Sequence, residues 1–351
     1  MDIYFGTRGP DAKGIYHTVL DKDSGKLSKA SLVAEIATAH FLALHPNKNI
    51  LYTIAQHDTE PCVAAYRIGE KGKLSLINKA VLGKEKGSAH LEVHPSGKLL
   101  VTTQYFTGTI AVFPLSTDGS VGPRAQLIER KGGSGVVASK QNQARPHFVA
   151  FSPDAKYAAI PDLGQDKIVF YEVSTADSSL KFHSSVDSVP GSGPRHMRFS
   201  PDGKLIYLQD EITVSVTSFS YDSAKGTAEL LSTTPALSES AKAKELYASG
   251  SEILVHPTGR FVYSGNRGHD TVTAYQADPQ SGRLDVIEVE PIRGSMPRHI
   301  NLDSSGQWLL AAGQDSSTVS VFEIDQESGE LTFQRQSIIK VPNPTCVIFR
   351  E

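Results

Sequence analysis

Apolar and polar residues alternate in short runs, and one such pattern recurs as an aligned 14-residue block. Its copies are FLALHPNKNILYTI from 41, HLEVHPSGKLLVTT from 90 and FVAFSPDAKYAAIP from 148. HMRFSPDGKLIYLQ from 196, EILVHPTGRFVYSG from 252 and HINLDSSGQWLLAA from 299 complete the set, all without gaps. Their turn positions, Pro46, Pro95, Pro153, Pro201, Pro257 and Ser304, lie 47 to 58 residues apart. Each block joins two β-rich runs across a Pro-x-Gly-like turn, the chemistry a short hairpin loop requires. A third alternating run follows, such as TIAVFPL, KIVFYEV or TVSVFEID. A Gly-Lys-Leu-type turn and a fourth run come next, as in GKLSLINKAVL (72–82) and GRLDVIEVEPI (282–292). Four antiparallel strands in every 50 residues or so predict a propeller blade.

The two chain ends extend the pattern. CVIFRE from 346 reads as the first strand of another block, and DIYFGTRG near the N-terminus resumes with the second. GIYHTVLD and GKLSKASLVAEI supply its outer strands. Residues 1–38 and 344–351 are therefore expected to form one split blade, hiding the edges that an open array would leave for aggregation. The fold class predicted is all-β: one domain, 1–351, a seven-bladed β-propeller of four-stranded antiparallel blades, closed by pairing the C-terminal strand with the N-terminal strands.

In such a ring the start of each first strand and the end of each second strand share a face. Just before the blocks stand His40, Ala89, His147, Arg195, Ser251, Arg298 and Thr345. Two residues past them stand Gln56, Tyr105, Leu163, Glu211, Arg267 and Gln314, with Arg8 as the seventh. Packing accounts for the repeated turns and apolar positions. It does not account for three different charged residue types at equivalent sites, so His147, Arg195, Glu211 and Arg267 together mark a candidate site. His90, His196, His299 and Glu252 lie one step further along the first strands. The segment 222–250 reads as a long linker with a possible short helical turn over the channel mouth.

Composition narrows the partners. Thirty-five basic residues against 38 acidic ones give a net charge of −3, which leaves no basic footprint for nucleic acid or an anionic membrane. No run approaches the roughly 18–20 apolar residues needed to span a bilayer. The N-terminus has neither the basic nor the apolar region of a secretory signal. Cys62 and Cys346 are too few for a disulfide framework and read as buried thiols in a reducing compartment, so the cytoplasm is the expected location. No H-x-x-x-H or C-x-x-C spacing suggests a metal, and no cofactor is expected. RKGGSGV (130–136) lacks the Walker lysine-serine ending and reads as a flexible loop.

RPHFVAFSPD (145–154), GPRHMRFSPDGK (193–204), YSGNRGHDTVTAY (263–275) and AAGQDSSTVSVFEI (311–324) resemble the lactonase family of seven-bladed propellers. That family includes propeller-type 6-phosphogluconolactonases and the fungal carboxy-muconate lactonizing enzyme, and the resemblance runs through essentially the whole chain. It implies active-site roles for His147, Arg195, Glu211 and Arg267. Many relatives carry Asn-Glu where this chain has Asp210-Glu211, and often again where Ala55-Gln56 stands here. The implied chemistry is metal-independent opening of a sugar lactone, with 6-phosphogluconolactone the leading substrate. His147 or Glu211 would activate water, and Arg195 and Arg267 would hold the oxyanion. Arg8, His196, Arg298, His299 and Gln314 are the expected substrate-binding residues. A lactonizing reaction on a carboxylated substrate and a non-catalytic binding propeller are the alternatives. Oligomeric state is not predicted.

Overall fold

The computed structural model describes residues 1–57 and 59–351. Among them, seven four-stranded antiparallel sheets stand around a central channel. Their inner strands are Ala37–Leu44, Ser88–Val93, Ala150–Phe151, Pro194–Phe199, Ser249–Val255, Pro297–Leu302 and Pro344–Arg350. The last of these comes from the C-terminus and pairs with Asp2–Thr7, in the register Asp2 to Arg350 through Gly6 to Cys346. Gly14–Val19 and Ser31–Glu35 complete that sheet, so the predicted closure is present. The next inner strand begins at Ala37.

The hydrophobic pattern explains the stacking of the blades. Second strands such as Leu99–Gln104 and Leu205–Asp210 are buried throughout, because both faces of each sheet are covered by neighbours. Leu99, Val101, Ile110 and Val112 of the second blade pack against Val149, Ala158, Ile160 and Val169 of the third. The closing blade does the same with Ile3, Phe5 and Val347 against Trp308, Leu310, Val319 and Val321. A buried side chain of this size contributes about 1.5–3 kcal/mol relative to exposure. Outer strands alternate instead. Thr227–Pro235 is such a strand, exposed at every second position or more, and it occupies much of the segment read as a linker. Its serines and threonines carry too little apolar signal to mark it. The remainder holds a single helical turn, Glu239–Lys242, capped by the Ser238 hydroxyl on Ala241 N–H at 3.2 Å.

One local irregularity repeats. The inner strands slip register between Ser88 and His90, Pro194 and His196, Gly250 and Ile253, and Pro297 and His299. An extra residue in one strand re-aims its side chain out of the regular alternation. Arg195 and Arg298 occupy these bulges, and Ser251 and Glu252 share another. The bulges thus turn charged groups toward the channel at one end of the ring.

The hairpin turns share a second constraint. Gly97, Gly203, Gly259 and Gly306 adopt φ of 68°, 72°, 73° and 74°, the left-handed region where a side chain is strained. The third blade keeps the conformation with Ala155, at φ 60°. Ala155→Gly is therefore expected to stabilise the protein by roughly 0.5–1 kcal/mol, the left-handed strain relieved less the entropy glycine adds to the unfolded chain. A rise in the denaturant midpoint at unchanged slope is the result to look for; a fall would show that this turn carries no strain.

Candidate active site

A cavity of about 380 Å³ opens at the bulged ends of the inner strands. Arg8, His40, His147, Glu211, Arg267 and Arg298 line it, each from a different blade. Tyr105, Lys140, Arg145 and Tyr247 add to its wall.

Glu211 is the centre of this arrangement. It follows the strand Leu205–Asp210, and its N–H donates to Gly193 O at 2.8 Å, which brings it beside Arg195 across the hairpin. Arg195 Nε donates to Glu211 Oε2 at 3.0 Å, and Arg267 Nη2 reaches the same oxygen at 3.1 Å. Lys140 Nζ lies 3.4 Å from Oε1, and His147 Nε2 lies 4.0 Å from Oε2. Strand alternation sends the neighbouring Asp210 the other way, where its Oδ2 accepts from Thr217 and Ser215 hydroxyls at 2.6 and 3.0 Å.

Burial opposes the charge on Glu211. Arg267, Arg195, Lys140 and Arg298 outweigh it and hold the carboxyl down at about 2. The folded-state value lies below the ordinary one, so its stabilising contribution is present above the usual carboxylate range and lost as pH falls toward about 2. Burial lowers Arg195 to about 10 and Arg298 to about 9, with mutual repulsion among the guanidiniums adding to the effect; both stay charged at neutral pH. His147 is buried, and its Nδ1 has no hydrogen-bond partner. Burial first, then the charges of Arg195, Arg298 and Arg267, push it well below the ordinary imidazole range. It is a neutral imidazole beside a pinned carboxylate.

The nine expected residues divide accordingly. His147, Glu211, Arg267, Arg298 and Arg8 meet at the cavity. Arg195 is 2% exposed and does not line it, because its Nε is committed to Glu211 and its Nη1 to Ser251 O. His196 and His299 lie deeper, both on Glu252 Oε2, at 2.8 and 3.1 Å; their inward-facing strand positions carry them past the mouth. Gln314 is also absent from the wall, and donates its side-chain amide to Arg8 O at 3.3 Å.

Sequence reasoning passed over several residues. Tyr105 and His40 stood in the aligned rings without a role; His40 is engaged with the Thr38 and Ser88 carbonyls. Arg145 belongs to the RPHF stretch and lies 4.6 Å above the Tyr105 ring, with Nε on Lys140 O at 2.7 Å. Lys140 and Tyr247 come from irregular connections with no repeat to flag them. Among the described residues, no group of three or more His, Cys, Asp or Glu side chains has the arrangement to hold a metal ion.

The model of the lactonase, 7-bladed β-propeller family matches residues 2–349. The chain belongs to this family. It is similar to a 6-phosphogluconolactonase of Bacillus subtilis, 31% identical over 354 residues and covering 99% of both chains. Among solved structures, a protein from Lactobacillus plantarum aligns with TM-score 0.91 at 27% identity, over 100% of this chain and 99% of that one. A periplasmic gluconolactonase of Pseudomonas aeruginosa aligns with TM-score 0.89 at 26% identity, over 100% and 99%.

Two arginines of the candidate site in this lactonase-family chain differ in what they support. Arg195 is one half of a buried ion pair, and removing one partner of such a pair typically costs about 3–5 kcal/mol. Arg298 is half-buried and has no carboxylate in ion-pair reach among the described residues. Chemical denaturation should show Arg195→Ala strongly destabilised and Arg298→Ala within about 0.5 kcal/mol of the parent. Equal losses would mean that Arg195 is not held as described.

Proposed function

We propose that the protein hydrolyses the lactone of a phosphorylated sugar acid, with 6-phosphogluconolactone the leading substrate. The observation that carries this reading is the neutral His147 Nε2, 4.0 Å from the Glu211 carboxylate, in a cavity walled by guanidiniums. Two acceptors at that spacing suit one shared water. The names of the Bacillus and Pseudomonas relatives support the lactone class, and the first supports the phosphate.

In the reaction, His147 Nε2 takes a proton from water as the oxygen adds to the lactone carbonyl carbon. The carbonyl electrons move onto oxygen, where the Arg267 charge stabilises them; one well-placed donor typically contributes about 10²–10³-fold. Collapse of that intermediate breaks the ring C–O bond, and the imidazolium returns its proton to the departing alkoxide. A sugar carboxylic acid is left, which ionises. Glu211 is a weak base because its two arginines hold its charge; its part is to align them. Arg8 and Arg298 have no carboxylate in ion-pair reach among the described residues, and they suit a phosphate. An anionic substrate would offset the positive charge around His147 and so strengthen it as a base.

A cytoplasmic location is part of the same proposal, supported by the buried, unpaired thiols of Cys62 and Cys346, which suit a reducing compartment. Cell fractionation tests it.

The activity is read in a pH-stat, with spontaneous opening subtracted. Opening of 6-phosphogluconolactone should be accelerated far more than that of the unphosphorylated lactone, and His147→Gln should lose roughly 10²–10⁴-fold in kcat. Acceleration of neither lactone, or ring closure of a carboxylated diene acid instead, would overturn the proposal. Because the free His147 lies below its ordinary range, kcat/KM should hold level down through pH 6.5 and decline only at lower pH. A half-loss at or above pH 6.5 would argue against His147 as the base.

A further inference from the structure

Below the cavity floor lies a second polar layer that the hydrolytic scheme leaves unused. Glu252 is fully buried on an inner-strand bulge. Its Oε1 accepts from Arg198 Nη2 at 3.1 Å and from Ile253 N–H at 3.2 Å. Its Oε2 takes two histidines, His196 Nδ1 at 2.8 Å and His299 Nε2 at 3.1 Å. Phe41 and Phe148 pack against these rings, with centroids 5.4 Å from His299 and 4.5 Å from His196.

The hydrogen bonds fix the protons. His299 Nδ1 faces the Val347 N–H at 3.4 Å, so the His299 proton sits on Nε2 and points to Glu252. His90 likewise accepts from Val149 N–H on Nδ1, at 3.3 Å. His196 gives its Nδ1 proton to Glu252, which leaves Nε2 as a bare lone pair, buried and without a partner. His147 has the complementary defect: its buried Nδ1 is also without a partner. The two ring centroids are 5.1 Å apart, near the separation of two imidazoles joined by one N–H···N bond.

We infer that Glu252, His196 and His147 form a continuous relay, in which Glu252 orients His196 and His196 accepts the Nδ1 proton of His147. Both orphaned nitrogens would be satisfied by that one interaction. The relay also dictates which His147 nitrogen is free: with hydrogen on Nδ1, the lone pair is on Nε2, the atom nearest Glu211. His196 and Glu252 are therefore positioning residues, and this inference rests on the reading of His147 as the base. The other groups facing His147 are the Tyr105 ring, Glu211 and the guanidiniums of Arg195, Arg267 and Arg298. Those facing His196 are His90, Arg195 and Arg198, besides Glu252. None of these other groups accepts the His147 Nδ1 proton.

The test compares His196→Phe with His196→Gln in the full-length protein. Phenylalanine suits the aromatic surroundings and removes the acceptor; glutamine can return an oxygen near the Nε2 position. With His196→Phe, kcat should fall at least about tenfold while KM stays within about twofold, and His196→Gln should recover much of the loss. The acid limb of kcat/KM should also move to lower pH in His196→Phe, since the acceptor that steadies the His147 imidazolium is gone. Nitrogen-15 spectra of labelled histidines give a readout independent of turnover: both His147 and His196 should carry hydrogen on Nδ1. A His147 proton on Nε2, or unchanged kcat in His196→Phe, overturns the relay. If His147→Gln itself keeps full turnover, the base reading has failed; if His147→Gln is inactive while His196→Phe is normal, only the relay has.

Discussion

The pairing of Pro344–Arg350 with Asp2–Thr7 governs everything at the channel mouth. A propeller blade buries both of its faces only if each neighbour is present, and the last blade has a neighbour only if the ring closes. Closure fixes the radius at which the inner strands stand. That radius lets residues as distant in sequence as Arg8, His147 and Arg298 line one cavity. No local element could do this, because each side chain belongs to a different hairpin.

Electrostatics within that frame run against the protein as a whole. The chain carries a net charge of −3, yet its mouth gathers Arg8, Arg145, Arg195, Arg267 and Arg298 around the Glu211 carboxylate. Assembling like charges in a buried setting costs free energy, visible in the depressed values of Arg195 and Arg298. Glu211 offsets part of the cost by bridging two guanidiniums through one oxygen. What remains is an unneutralised positive field, and this is the physical basis for expecting an anionic ligand.

Much of this was legible in the sequence, for a definite reason. Seven-fold repetition made every blade a control for the others, so Glu211 and Arg267 stood out as departures at equivalent positions. The hairpin geometry alone brought Arg195 and Glu211 together. Alternation could not distinguish side chains that reach the cavity from those one position deeper, since the bulges shift the phase at that end. His196 and His299 were misplaced for this reason, although Glu252 was visible at the same level. Lys140, in an irregular connection, left no trace because repeats inform only on what is repeated. The outer strand Thr227–Pro235 was hidden by its exposure, which removes the apolar signal that marks inner strands.

The layer of Phe41, Phe148, His196 and His299 has one more consequence. Among the described residues, the cavity at the mouth and the one at the opposite end of the channel share no wall residue, and the buried Phe148, His90 and His196 fill the axis of the ring. An incoming molecule and the outgoing one therefore use the same end of the ring, past Arg8. The more strongly that doorway attracts anions, the longer it detains them on departure, which ties capture and discharge to one set of charges.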